Sequence, residues 1–202
     1  MKRTSISLLF CASVFVFGCK NEGEKNENDL ETTTGTELTT EEDEMDSAEE
    51  MKEIIVDLEA KSGSDLSGTV TFTEENGEVR MEGTINGLSE GTHAIHIHEN
   101  ADCSAEDGSS AGGHWNPTNE PHGEWGDSEG YHRGDIGNFQ VDSNGEGNVS
   151  MSTDQWCIGC DDENKNIVGK AVIVHDGVDD YTSQPSGDAG TRVGCGEIEM
   201  EM

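Results

Sequence analysis

Basic residues are scarce in this chain. Lysine and arginine number 11 against 44 aspartates and glutamates, a formal net charge of −33 over 202 residues. Phosphate binding needs clustered Lys or Arg, so nucleic acid is excluded as a default partner. Long apolar runs are also lacking. The most apolar stretch, Ile6–Phe17, is too short for a comfortable membrane span. Helical patterning is almost absent, and Ser47–Glu53 is the only mild candidate. Histidine is missing from most of the chain. Six of the seven lie between Gly91 and Asp135, and the last, His175, follows the apolar run Ala171–Val174.

The chain divides into three parts. Residues 1–19 read as a targeting segment, with Lys2 and Arg3 ahead of the apolar stretch. It closes on Val16-Phe17-Gly18-Cys19, which resembles a bacterial lipoprotein signal in which Cys19 becomes the lipid-modified first residue. An ordinary secretory signal cleaved nearby is the alternative. Either reading exports the protein and removes Cys11. Residues 20–51 are rich in Glu, Asn and Thr, with few large apolar side chains. Such a segment cannot bury enough surface to offset its conformational entropy and is expected to be a disordered acidic tether. The lipoprotein reading places residues 52–202 in the cell envelope, on the periplasmic face or at the cell surface, held to a membrane by an N-terminal lipid.

From Lys52 the pattern is β. Ile54, Val56 and Leu58 alternate with charged residues, and Val70 and Phe72 alternate with threonines. Asn76-Gly77 and Asn144-Gly145 are hairpin signals. Val168–Val174 reads as a buried strand ending at His175. Short strands separated by turn signals predict an all-β fold, a Greek-key sandwich or barrel of about eight antiparallel strands with long loops. About 150 residues suffice for one such domain and not two.

The histidines carry the chemistry. Residues two apart on a strand share a face, so His96 and His98 project together while Ile95 and Ile97 enter a core. Two adjacent imidazoles suit zinc or copper. His93 has the other parity and reads as a hydrogen-bonded structural histidine. His114, His122, His132 and Asp135 fall in a stretch rich in Gly, Pro, Asn and Ser, hence a loop. Three imidazoles and a carboxylate are a complete tetrahedral set for zinc.

The runs GLSEGTHAIHIHE, AGGHWNP, PHG, HRGDIGN, GKAVIVHD and AGTRVGCG, in that order and with similar spacing, resemble the Cu/Zn superoxide dismutase family. The resemblance covers roughly 52–202. It implies copper on His96, His98, His114 and His175, and zinc on His114, His122, His132 and Asp135, with His114 bridging the two. It implies that Asp179 links a copper ligand to a zinc ligand, that Cys103 and Cys195 form a disulfide, and that Arg192 attracts and orients superoxide. The implied activity converts two superoxide anions and two protons to dioxygen and hydrogen peroxide, with copper cycling between two oxidation states. Copper-only relatives lack zinc ligands, whereas all of them are present here. The family includes homodimers and monomers, and no exposed apolar stripe in this sequence chooses between them.

Two features depart from that pattern. Cys157-Ile158-Gly159-Cys160 has no place in it. A local disulfide, a redox-active pair and an extra metal site compete, and an exporting context favours the disulfide. Charge is the other departure. Residues 1–51 hold 13 acidic and 4 basic side chains, which leaves 31 against 7 in the rest. A field of that sign slows an anion unless local positive charge focuses it. The segment Tyr181–Asp188 before Arg192 has no lysine, and only Arg133 and Lys170 stand as helpers. A metal-binding lipoprotein without turnover is therefore the main rival reading, although a metal buffer has no need of an anion hook at Arg192. A structural or adhesion sandwich would leave the ligand set unexplained.

Overall fold

In the computed structural model, which describes residues 51–200, alternation of apolar and polar side chains builds the first three strands. β1 (Lys52–Ala60) turns Ile54, Val56 and Leu58 inward, β2 (Ser67–Glu75) turns Val70 and Phe72, and β3 (Glu78–Asn86) turns Val79, Met81 and Ile85. Asn76 and Gly77 both adopt positive φ, 54° and 76°, as a two-residue hairpin turn matched to strand twist requires. β4 (Gly91–His98), β5 (Gly137–Val141), β6 (Glu146–Thr153), β7 (Lys170–His175) and β8 (Arg192–Ile198) complete the set.

All pairings are antiparallel and the sheet closes in the order β1-β2-β3-β6-β5-β4-β7-β8. The connections β3–β4 and β6–β7 each pass over two intervening strands, so the barrel is a Greek key. Closure leaves no free sheet edge. The expected all-β architecture of about eight strands is present. β7 starts at Lys170, two residues later than its apolar run, because Gly169 at φ 83° turns the chain first. The helical candidate Ser47–Glu53 ends inside β1, where Lys52 and Glu53 pair with Glu74 and Thr73. The strand alternation that follows outweighs the weak local preference. Cys19, expected to be lipidated, the expected targeting segment and nearly all of the expected tether lie outside the described residues. Among the described residues, no helix is long and apolar enough to cross a membrane.

β4 and β7 are buried on both faces. Ile95, Ile97, Val172 and Val174 join the barrel core with Phe72 and Trp156. On the outer face, Ala171 and Ile173 pack with Ala111, Cys103 and Cys195. Cys103 and Cys195 are disulfide-bonded across 92 residues, which pins the loop after β4 to β8. Cys157 and Cys160 are also bonded to each other, as favoured from the sequence.

Closing so long a loop restricts the unfolded chain, a contribution of about 4 kcal/mol. A Cys103→Ala/Cys195→Ala double variant, metal-free, is expected to lose about that much in urea titration. A loss under about 1 kcal/mol would show that other contacts hold the loop.

Candidate metal centre

The strands set the first ligands. In the β4–β7 ladder His96 lies opposite Ile173 and His98 opposite Ala171, so both imidazoles leave the barrel on its outer face. His175 ends β7 opposite Arg192, where a register shift at Val174/His175 breaks the ladder. The long loop after β4 is stitched back onto that strand. Trp115 N–H donates to Ile97 O at 2.8 Å, Ile97 N–H to Gly134 O at 2.9 Å, and Gly134 N–H to Trp115 O at 3.0 Å. His114 is thereby brought beside His98. A Cβ at Gly134 would collide with Ile97 O, so only glycine permits the approach that delivers Asp135.

The result is two groups that share one residue. His96, His98, His114 and His175 offer ligand atoms within 4.8 Å of one another, and so do His114, His122, His132 and Asp135. All seven residues are buried. Six ring nitrogens are buried without a well-aligned hydrogen bond: Nδ1 of His96, His122 and His132, and Nε2 of His98, His114 and His175, of which His122 and His132 have only an Asp135 oxygen close by. Buried polar atoms are nearly always satisfied, so six orphans at one place mark something they are built to hold.

In five of these six rings the opposite nitrogen is already engaged. His98 Nδ1 faces Gly112 O at 3.0 Å and His175 Nδ1 faces Gly190 O at 3.3 Å. A carbonyl only accepts, so each of those nitrogens carries the hydrogen and leaves a lone pair on Nε2. Asp179 does the same for two rings at once, with Oδ2 2.8 Å from His96 Nε2 and Oδ1 2.8 Å from His122 Nε2. Its carboxylate therefore ties one group to the other. Asp135 accepts the backbone N–H of His132 at 2.8 Å and of Gly123 at 3.2 Å. Its oxygens lie 2.8 Å from His114 Nδ1, 3.0 Å from His122 Nδ1 and 3.2 Å from His132 Nδ1. Four imidazoles around one point suit copper, and three imidazoles with a carboxylate suit zinc. The donor set fits both ions.

The charge states agree. Burial, then the neighbouring His114, pushes His98 well below its ordinary pKa. Burial outweighs the bond to Asp135 and takes His114 down to about 4, and burial with His96 takes His175 to about 3. Burial opposes charge on His122 as well, but Asp135 and Asp179 overcome it and raise the ring to about 9. Burial disfavours charge on Asp135 and Asp179, yet their histidine partners hold both carboxyls well below the ordinary range. Without metal, most of one group is neutral and the other is knit by protons.

Arg192 stands beside the first group, half-buried. Its Nη1 donates to Gly108 O and its Nη2 to Gly112 O, both at 2.8 Å. Burial lowers its pKa and Asp107 counters, but a guanidinium stays charged. Arg133 and Lys170, the two candidate helpers, are committed elsewhere. Arg133 donates to Gln155, and Lys170 to Glu99 O at 3.2 Å. His93 lies outside both groups, with Nδ1 3.1 Å from His175 O and Nε2 2.9 Å from Ser89 O.

Comparison with known proteins bears on the same residues. The copper/zinc superoxide dismutase family matches residues 66–198, a span containing every histidine and Arg192. The chain belongs to that family. It is 33% identical over 144 residues to an extracellular Cu-Zn superoxide dismutase of Caenorhabditis elegans, covering 68% of this chain and 63% of that protein. The chain thus matches less than two thirds of that relative's length. It also resembles the crystal structure of the clock protein EA4, at 33% identity and a TM-score of 0.65, over 74% of this chain and 94% of the other.

Sequence reasoning missed the groups that aim the ligands. The carbonyls of Gly108, Gly112 and Gly190 leave no mark, because every residue has a carbonyl. Gln184 was missed as well; it accepts from His122 N–H at 2.9 Å and donates to His122 O at 2.9 Å. Gly187, at φ 65°, lies so close to Asp179 and His122 that a Cβ would collide with Asp179 Oδ1. Nothing in the sequence marks the carboxylate that lies against it.

The shifts set a pH window for the metal-free protein. His98, His114 and His175 bind protons more weakly folded than unfolded, so their contribution, present above about pH 6.5, is lost as pH falls toward 4 and 3. His122 has the opposite sign: its contribution is complete below about pH 6.5 and is lost as pH rises through 9. Calorimetry of the metal-free chain is expected to give a maximum Tm near pH 6.5 with a fall on both sides. A Tm flat from pH 5 to 9 would contradict this.

Proposed function

We propose that the chain is a superoxide dismutase with copper on His96 Nδ1, His98 Nε2, His114 Nε2 and His175 Nε2. Asp135 and Nδ1 of His114, His122 and His132 would hold zinc. The observation that carries this reading is the set of six bare, buried nitrogens, divided so that one ring, His114, offers an atom to each group. Copper held there would supply the one-electron chemistry by which one superoxide is oxidised and a second reduced.

The protein's own residues supply the rest. Arg192 draws the anion into place and holds it by charge-assisted hydrogen bonds. Two backbone carbonyls fix two edges of its guanidinium and leave the remaining donors for the anion. Asp135 lies on the Nδ1 side of His114 and fixes the ring, so its Nε2, whenever it is not a ligand, can carry a proton and pass it to the anion that is being reduced. A second proton completes hydrogen peroxide, and two anions and two protons become dioxygen and one peroxide. Asp179 holds His96 and His122 in one tautomer each, and so keeps the two ligand groups in register.

Copper- and zinc-loaded full chain is expected to remove superoxide rapidly in direct spectroscopic decay, with zinc alone giving none. Arg192→Ala should lower the rate constant at least about tenfold. The surface is strongly acidic and Arg192 has little basic company, so the rate at low ionic strength should be no higher than at about 0.15 M salt. Tight metal binding without decay beyond that of free solution would leave a metal-binding protein instead.

Two disulfides and an extracellular relative support export. We infer that residues 1–19 direct it, that lipid on Cys19 anchors the chain, that residues 20–51 form the tether, and that residues 52–202 form the catalytic domain. Cys19→Ser should move the protein from the membrane fraction to the soluble one. Membrane retention of that variant would overturn the anchor.

A further inference from the structure

Lys61 is a charged side chain that the mechanism does not use. It follows β1 and is 9% exposed. Burying an ammonium is costly unless specific partners receive it. Its Nζ donates to Cys103 O at 2.6 Å, a buried contact, and to Glu59 Oε2 at 3.2 Å. The Glu59 side chain is 71% exposed, so water screens that pair and the Cys103 carbonyl is the partner that fixes Lys61.

Cys103 opens the stretch 103–112, whose Gly108 and Gly112 carbonyls hold the Arg192 guanidinium. Gly112 O also receives His98 Nδ1, so one carbonyl aims both the anion hook and a proposed copper ligand. The turn that carries Lys61 grips this stretch again and holds the backbone of Arg192 as well. Ser62 N–H donates to Glu106 O at 2.7 Å, and Ser62 Oγ to Arg192 O at 2.8 Å. Lys61 N–H donates to Val193 O at 2.9 Å, and Ser64 Oγ to the same carbonyl at 2.6 Å. Both ends of Arg192, main chain and guanidinium, are therefore referred to one turn. The disulfide joins 103 to 195 but touches neither Arg192 nor the two carbonyls that aim it.

We propose that Lys61 is a positioning residue for Arg192: through the Cys103 carbonyl it holds residues 103–112 so that Gly108 and Gly112 aim the guanidinium. The consequence for turnover rests on the dismutase reading; the consequence for Arg192 itself does not. Two measurements on the full chain, one on its zinc-loaded, copper-free form and one with both metals loaded, separate them.

The first is NMR of the Arg192 guanidinium in the zinc-loaded, copper-free chain. Rotation about its Cζ–N bonds is expected to be restricted in the wild type and in Lys61→Arg, and freed in Lys61→Met. The second is superoxide decay. Lys61→Met should lower the rate constant about tenfold, the scale of one buried charge-assisted hydrogen bond. Lys61→Arg should restore it, and Lys61→Met should cost nothing further in an Arg192→Ala background. Ser62→Ala, which removes the hydroxyl from Arg192 O, serves in the same two measurements if Lys61→Met does not fold. An Arg192 equally restricted with and without the Lys61 ammonium overturns the proposal. So does an equal loss of rate in both backgrounds, which would mark Lys61 as a general stabiliser. Wild-type chain that binds both metals and shows no turnover sinks the dismutase reading alone, and the NMR result then decides Lys61.

Discussion

The structure depends on a burial that the protein cannot satisfy by itself. Six imidazole nitrogens and a carboxylate sit out of contact with water, and five of the six rings are already bonded on their opposite side. Desolvating so many polar groups opposes folding. A cation held by each group would convert that cost into binding energy, since metal affinity is folding energy wherever the unfolded chain lacks the site. Without metal, the shared protons of the Asp135 and Asp179 networks are the substitute, which is why the charge states of the two groups differ.

The barrel exists to make that burial rigid. Ile95, Ile97, Val172 and Val174 fill the interior and lock β4 against β7. The same register places His96 and His98 on the outer face. The ligands from the loop would not hold by loop geometry alone. Three backbone bonds among Ile97, Trp115 and Gly134 make the loop an extension of β4, and the disulfide and the Lys61 turn fasten its first half to β8. The chain thus positions seven ligands with only two strands, and the reactive end of Arg192 with two loop carbonyls.

Much of this was legible in the sequence because the signals are periodic or chemically exclusive. Strand alternation at Ile54, Val56 and Leu58 and the turn at Asn76-Gly77 announced a β fold. His-x-His on a strand, then His114, His122, His132 and Asp135 in a loop, announced a metal centre, since few other structures need that donor set. The start of β7 was misplaced because Val168 has the composition of a strand and the backbone of a turn. The supporting carbonyls and the burial of Lys61 were not legible. Backbone acceptors have no residue signature, and a lysine two positions beyond a glutamate reads as an ordinary surface ion pair. What buries it is the loop from Cys103, more than forty residues away, and no local pattern encodes that approach.

Membership of the copper/zinc superoxide dismutase family and the geometry of the donors support one proposal: two different ions share His114. The most direct test is a crystal structure of the copper- and zinc-loaded chain with anomalous data on either side of each metal's absorption edge. The account predicts copper against His96 Nδ1, His98 Nε2, His114 Nε2 and His175 Nε2. It places zinc against Asp135 and Nδ1 of His114, His122 and His132. A single ion, or two ions that do not both contact His114, would contradict it.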